Sequence, residues 1–184
     1  MTVVITGGTG GLGRQLVERL SQNSRDIIFT CGRDRKALAE LSQLRGVHAY
    51  YCDVSDEGSV QNFATSVGSV LHNHGLEGVD VLINNAGLQV WGHPFFEMSE
   101  AIFDKSWKVN VRGPFFCAKA FFPHLSRSTR RGRIINIGST VEEGPLAQAY
   151  HGVYAMSKAA LTRFSNVMFI VYSIYFCLCE CVYC

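Results

Sequence analysis

Tyr154 and Lys158 stand four residues apart in the run Tyr154-Ala155-Met156-Ser157-Lys158. On a helix that spacing puts both side chains on one face. A phenol titrating near pH 10 is a poor proton donor or acceptor at neutral pH, and an ammonium group within about 4 to 6 Å corrects this by stabilising the phenolate. The pair is a candidate acid/base device. Taken alone, Tyr-x-x-x-Lys arises often by chance on a solvated helical face. Its weight comes from a glycine-rich stretch far upstream, Thr6 to Gly13, and from a serine, Ser139, that precedes it.

Those residues need elements to hold them. Thr2 to Thr6 is a short apolar run, the glycines Gly7, Gly8, Gly10, Gly11 and Gly13 follow at once, and Leu12, Leu16, Val17 and Leu20 then recur at helical spacing. The order is strand, glycine turn, helix. Glycine suits such a turn because the backbone adopts conformations closed to other residues and approaches a pyrophosphate closely at the helix N-terminus. Further strands are expected at 26–31, 47–52, 79–84 and 133–138, separated by helices near 11–21, 34–44, 56–74 and 99–127. Strict alternation with short connections implies a parallel sheet covered by helices on both faces, with a ligand crevice at the carboxyl ends of its strands.

The glycine turn reads Thr6-Gly7-x-x-x-Gly11-x-Gly13, and other motifs follow in order. They are Asp53-Val54 after the third strand, Asn84-Asn85-Ala86-Gly87 after the fourth, Asn110 in the next helix, Ser139 after the fifth strand, and Tyr154 with Lys158. In these motifs, over Thr2 to about Asn166, the chain resembles the short-chain dehydrogenase/reductase family. The resemblance implies an α/β, Rossmann-type doubly wound sheet. It also implies hydride transfer between a nicotinamide cofactor and a carbonyl or secondary alcohol. Tyr154 would be the proton donor, Lys158 would lower the Tyr pKa and bond the nicotinamide ribose, Ser139 would polarise the carbonyl, and Asn110 would hold a water behind Lys158. The implied cofactor set is Thr6, Gly7, Thr9, Gly11, Leu12, Gly13, Arg33, Asp53, Val54, Asn85, Ala86 and Gly87, with Tyr154 and Lys158. Asp53 resembles the residue that bonds the adenine amino group, and Asn84 to Gly87 is expected to be mainly architectural. Ser139 precedes Tyr154 by fifteen residues, about two more than the family usually shows. Tyr150 has no Lys at the matching position, because position 154 is itself Tyr.

An acidic residue at the end of the second strand would bond both ribose hydroxyls of NAD and repel the 2′-phosphate of NADP. Here the strand ends Cys31-Gly32-Arg33 with no carboxylate before Asp34. The Arg33 guanidinium can fork onto a phosphate monoester, with Arg35 beside it, so NADP(H) is expected over NAD(H).

With 184 residues and a formal charge of +2, the chain has the size of one domain, and nothing in the balance points to nucleic acid. The basic run Arg127, Arg130, Arg131, Arg133 falls between a helix and a strand, where a solvated connection is expected. The chain begins directly on a strand, which leaves no room for a leader and predicts a cytoplasmic protein. Cys31, Cys52 and Cys117 are expected as small apolar core residues rather than bridged thiols. Trp91, Phe95, Phe96 and Met98 could line an apolar substrate pocket or pack an interface; His93 and His151 are expected as loop or surface residues.

The end of the chain breaks the pattern. Residues 167–184 read VMFIVYSIYFCLCECVYC, with one charge, Glu180, and with Cys177, Cys179, Cys181 and Cys184 crowded together. A membrane anchor needs about 20 apolar residues, and this run contains Ser, Tyr and Glu. Alternating cysteines without histidine match no common zinc pattern, so no metal is expected. The expectation is a 1–166 dinucleotide-binding domain with a non-family tail from 167, as readthrough into an intron or an alternative last exon would give. About five strands would then form the sheet, without the family's last two, leaving a bare edge beside the fifth. Family homo-oligomer contacts would be compromised. Two functions follow as expectations: an NADP(H)-dependent oxidoreductase acting on a small carbonyl or alcohol, or an inactive nucleotide-binding fragment that pairs with a complete sister chain.

Overall fold

The computed structural model describes residues 1–90, 95–140, 148–173 and 178–182. Five parallel strands alternate with helices: β1 (Thr2–Thr6), α1 (Gly11–Ser21), β2 (Ile27–Gly32), α2 (Arg35–Leu41), β3 (Val47–Tyr51), α3 (Glu57–Asn73), β4 (Val81–Asn84), α4 (Glu100–Trp107), α5 (Gly113–Leu125) and β5 (Arg133–Ile137). A long helix, α6 (Gln148–Ser173), and a strand, β6 (Leu178–Val182), complete the order. The sheet runs β3-β2-β1-β4-β5-β6. The strand order reverses between β1 and β4, and that is where a doubly wound sheet opens its crevice.

Side-chain alternation sorts the strands between two cores. Val4, Phe29, Cys31 and Leu82 pack with α3 and α5 around Phe63 and Phe121, while Val3, Ile5, Ile28 and Ile83 pack on the other face with Val17 of α1 and Leu41 of α2. Caps fix where the helices start. Asp34 accepts from the amides of Lys36 and Ala37, Asp56 from Ser59 and Ser99 from Ile102, each satisfying first-turn donors that have no partner within the helix.

Two expectations change. The bare edge beside β5 is not there: β6, drawn from the Cys-rich tail, pairs in parallel with β5 from Arg133↔Leu178 to Ile137↔Val182. The alternating run Leu178 to Val182 is short and holds Val at its end, which a strand accommodates. The single helix expected over 99–127 is also interrupted, because a π turn at Lys108–Arg112 separates α4 from α5. Pro114 explains the interruption, since it has no N–H to offer the carbonyl of Asn110 four residues back. The turn is closed by the Gly113 amide bonding back to the Lys108 carbonyl.

No helix among the described residues is long and apolar enough to cross a membrane. Trp91, His93, Cys177 and Cys184 lie outside the described residues, as do the side chains of Phe95, Tyr150 and His151.

Candidate functional site

A cleft of about 510 Å³ opens at the carboxyl ends of β1, β2, β4 and β5. The β1–α1 turn forms one wall. Gly7 sits at φ +71°, and a Cβ there would stand 2.8 Å from the Ala86 Cα, so only glycine lets the turn lie against the end of β4. A Cβ on Gly13 would meet the Gly7 carbonyl oxygen. Gly10, at the start of α1, supplies no side-chain cap, so the first amides of that helix face the cleft without an internal acceptor.

Thr6 holds the opposite wall. Its Oγ1 accepts from the amides of Asn85 at 3.1 Å and Ala86 at 3.0 Å, and the Asn85 side-chain amide donates to the carbonyls of Thr6 and Gly7 at 3.0 and 3.3 Å. Thr6 and Gly13 therefore do not line the cleft; they brace the turn that does. The rest of the expected cofactor set, from Gly7, Thr9, Gly11 and Leu12 through Arg33, Asp53 and Val54 to Asn85, Ala86 and Gly87, lines it together with Tyr154 and Lys158.

At the far end the Arg33 guanidinium is 57% exposed and stands 3.6 Å from the Asp53 Oδ2, a loose pair that water screens. The other Asp53 oxygen accepts from the Ser55 amide at 3.0 Å and hydroxyl at 2.7 Å. Burial pushes the Asp53 carboxyl up, but Ser55 and Arg33 together outweigh it and hold it below its ordinary value. Arg35 does not join Arg33: its guanidinium lies 4.5 Å over the Tyr51 ring.

At the near end α6 presents Tyr154 and Lys158. Lys158 is 4% exposed and donates to the Ile137 carbonyl at 2.6 Å, with its Nζ 5.7 Å from the centre of the Tyr154 ring. Behind them Asn110, 1% exposed, is held by the π turn. Its Oδ1 accepts from the Leu88 amide at 2.7 Å, while its Nδ2 donates to the Leu88 carbonyl and to the Ser157 Oγ, both at 2.9 Å. Ser157 in turn donates to the Tyr154 carbonyl at 2.7 Å. Both amide hydrogens of Asn110 are spent on protein, so its side chain ties the strand exit after β4 to α6. Ser139 is buried two residues past Ile137 and does not line the cleft.

A buried ladder ties α6 to the sheet: Asn84 Nδ2 donates to Asn136 Oδ1 and Asn136 Nδ2 to Ser165 Oγ, each at 2.8 Å. Sequence reasoning missed Ser157, Asn136, Ile137 and Gln89. Ser157 lies inside the Tyr-x-x-x-Lys run, and its position one residue before Lys158 was the available signal.

The family model for short chain dehydrogenase matches residues 1–173. The chain belongs to that family. Over 170 residues it is 34% identical to the oxidoreductase DltE of Bacillus subtilis, covering 89% of this chain and 62% of the relative. Over 167 residues it is 30% identical to the NADP-dependent 3-hydroxy acid dehydrogenase YdfG of Escherichia coli K12, covering 90% of this chain and 64% of the relative. The chain thus spans less than two thirds of the length of these curated relatives. Among solved structures, the NADPH-bound carbonyl reductase from chicken fatty liver superposes with a TM-score of 0.87 at 27% identity, over 99% of this chain and 77% of that one. The RhlG/NADP complex of Pseudomonas aeruginosa gives 0.85 at 25% identity, over 98% and 70%.

The cleft of this short-chain dehydrogenase fits a dinucleotide on its own geometry. The turn glycines Gly7, Gly10 and Gly11 line it, with open space where a Cβ on Gly10 or Gly11 would stand, the first amides of α1 are unclaimed by a cap, and a cation stands where β2 ends.

Proposed function

We propose that the chain is an NADP(H)-dependent oxidoreductase that interconverts a carbonyl and a secondary alcohol. The observation that carries this is the Tyr154–Lys158 pair at the mouth of the glycine-walled cleft, with Lys158 buried and anchored on Ile137. Two relatives point the same way: one is named as an NADP-dependent hydroxy acid dehydrogenase, the other as an NADPH-bound carbonyl reductase.

The turn from Gly7 to Leu12 would hold the pyrophosphate, Arg33 the 2′-phosphate and Asp53 the adenine amino group. The bound cofactor supplies a hydride to the carbonyl carbon. This chain's residues do the rest. Tyr154 gives its phenolic proton to the substrate oxygen as negative charge develops there. Lys158, a buried ammonium on the same helical face, stabilises the phenolate left behind. Ser139 would reach the carbonyl oxygen only by turning out of its buried position into the cleft, and Asn110 keeps the Leu88 backbone and α6 in register.

The test is oxidation of NADPH by the purified 184-residue chain across a panel of ketones and aldehydes. Tyr154→Phe should lower turnover by about 10²- to 10⁴-fold, the range for loss of a general acid, with NADPH affinity retained. A second reading, a chain that binds dinucleotide without turnover, draws on the position of Ser139 outside the cleft lining. Binding without carbonyl-dependent oxidation would select it.

A further inference from the structure

Two thiols meet beside the cleft. Cys31 lies in β2 opposite Tyr50, and the Cys52 amide donates to the Gly32 carbonyl at 3.0 Å. Cys52 is therefore two positions beyond the partner of Cys31, on the same face of the sheet. Both belong to one core cluster, and each lies near enough to shift the other's titration. The Ser59 hydroxyl, which also acts on Cys52, accepts from the Asp53 amide at 3.1 Å.

The environment makes the two thiols unequal. The neighbouring Cys31, helped by Ser59, pulls Cys52 below its ordinary thiol value despite burial and the nearby Asp53 and Asp56 carboxylates. The Cys52 sulfur, together with full burial, pushes Cys31 well up. Cys52 lines the cleft and Cys31 does not, so the more thiolate-like sulfur is also the one at the cleft. Cys117, buried on α5, is pushed well up by burial.

We propose that Cys52 and Cys31 are a modification site that closes to an intramolecular disulfide when a hydroperoxide enters the cleft, and that the cross-link weakens dinucleotide binding. The second half rests on the cofactor reading above. In the first step the Cys52 thiolate attacks the outer oxygen of the hydroperoxide. The O–O bond breaks, and an alcohol leaves with the displaced proton while Cys52 becomes a sulfenic acid. The Cys31 sulfur then attacks the sulfenic sulfur, the S–S bond forms, and the hydroxyl leaves with the Cys31 proton as water. Two thiols lose two electrons and the peroxide gains two.

The disulfide draws the sulfurs to about 2.05 Å, well inside the contact distance of two unbonded sulfurs, and the two residues stand diagonally across neighbouring strands, so backbone has to move. Cys31 is fixed between β1 and β3, whereas Cys52 lies just past the end of β3. The displacement falls on Cys52, Asp53 and Val54, which line the cleft. Bound dinucleotide would cover the same wall and shield Cys52.

Treating the full chain with hydrogen peroxide and mapping its peptides tests this. The expected product is a Cys31–Cys52 linked peptide, formed more slowly with saturating NADPH. NADPH affinity of the oxidised chain should fall at least about tenfold and return on thiol reduction. Cys31→Ala should leave Cys52 as a sulfenic acid that dimedone traps, a readout that needs no cofactor, and Cys117→Ala should cross-link like the natural chain. Oxidation mapped only to other cysteines while Cys52 stays reduced would overturn the site, and a cross-link without loss of affinity would overturn its consequence. A reduced chain that binds no NADPH would sink the cofactor reading and the proposed consequence together, while the mapped peptide still decides the disulfide.

Discussion

Thr6 is 1% exposed, and its hydroxyl accepts from two adjacent amides, Asn85 at 3.1 Å and Ala86 at 3.0 Å. Thr6→Val keeps the shape and removes that acceptor. The hydroxyl's own donation to the Ile83 carbonyl, at 3.5 Å, is too long to matter much. The Ala86 amide loses its acceptor in a half-buried corner, while the Asn85 amide keeps the Ile83 carbonyl at 3.1 Å, so the cost should fall near about 1–3 kcal/mol. For a chain of this size each kcal/mol moves Tm by about 2–4 °C, so a drop of roughly 5 °C is expected. Thr6→Ser keeps the oxygen and loses one buried methyl, costing about 0.5–1.5 kcal/mol. Urea titration followed by circular dichroism reads both. Valine ranking at or above serine, or a valine variant within about 0.5 kcal/mol of the natural chain, would refute the argument that Thr6 acts through its oxygen.

Arg33→Ala should weaken NADPH about 10- to 100-fold, the loss of charge-assisted hydrogen bonds to a phosphate, and leave NADH unchanged; equal losses for both would remove Arg33 from the selection of cofactor. Asn110→Ala leaves the Leu88 amide and carbonyl without their side-chain partner and removes one donor from the Ser157 oxygen, which keeps its bond to the Tyr154 carbonyl, so we expect about 2–4 kcal/mol lost in denaturant unfolding together with lower turnover. His124 and His48 are both held below the ordinary 6.5, chiefly by burial, with Arg127 and His74 respectively adding to it. The unfolded chain then binds more protons, so stability is full above pH 6.5 and falls as pH drops below it toward the depressed folded values. His124→Gln should flatten part of that slope in unfolding titrations, leaving the share of His48; an unchanged slope would contradict the assignment.

Much of the site was legible because its residues answer to local rules. The Thr6–Gly13 turn, the Asn84–Gly87 exit and the Tyr154–Lys158 pair all stand where a strand or helix end puts them, and the structure gathers most of them around one cleft. What sequence did not show depends on contacts between distant segments. The π turn at Lys108–Arg112 keeps helical periodicity on both sides, so hydrophobic spacing alone reads straight through it. Asn110 as a clamp on Leu88, and Thr6 as an acceptor for Asn85 and Ala86, join elements 22 and 79–80 positions apart. The strand at Leu178–Val182 was hidden because the run around it is mostly apolar, and such a run names no secondary structure until β5 offers it an edge.

The most direct measurement is a calorimetric titration of the 184-residue chain with NADPH and, in parallel, NADH. The account predicts one saturable site per chain, tighter for NADPH. A chain that unfolds cooperatively yet shows no saturable heat with either nucleotide would contradict the assignment of the cleft.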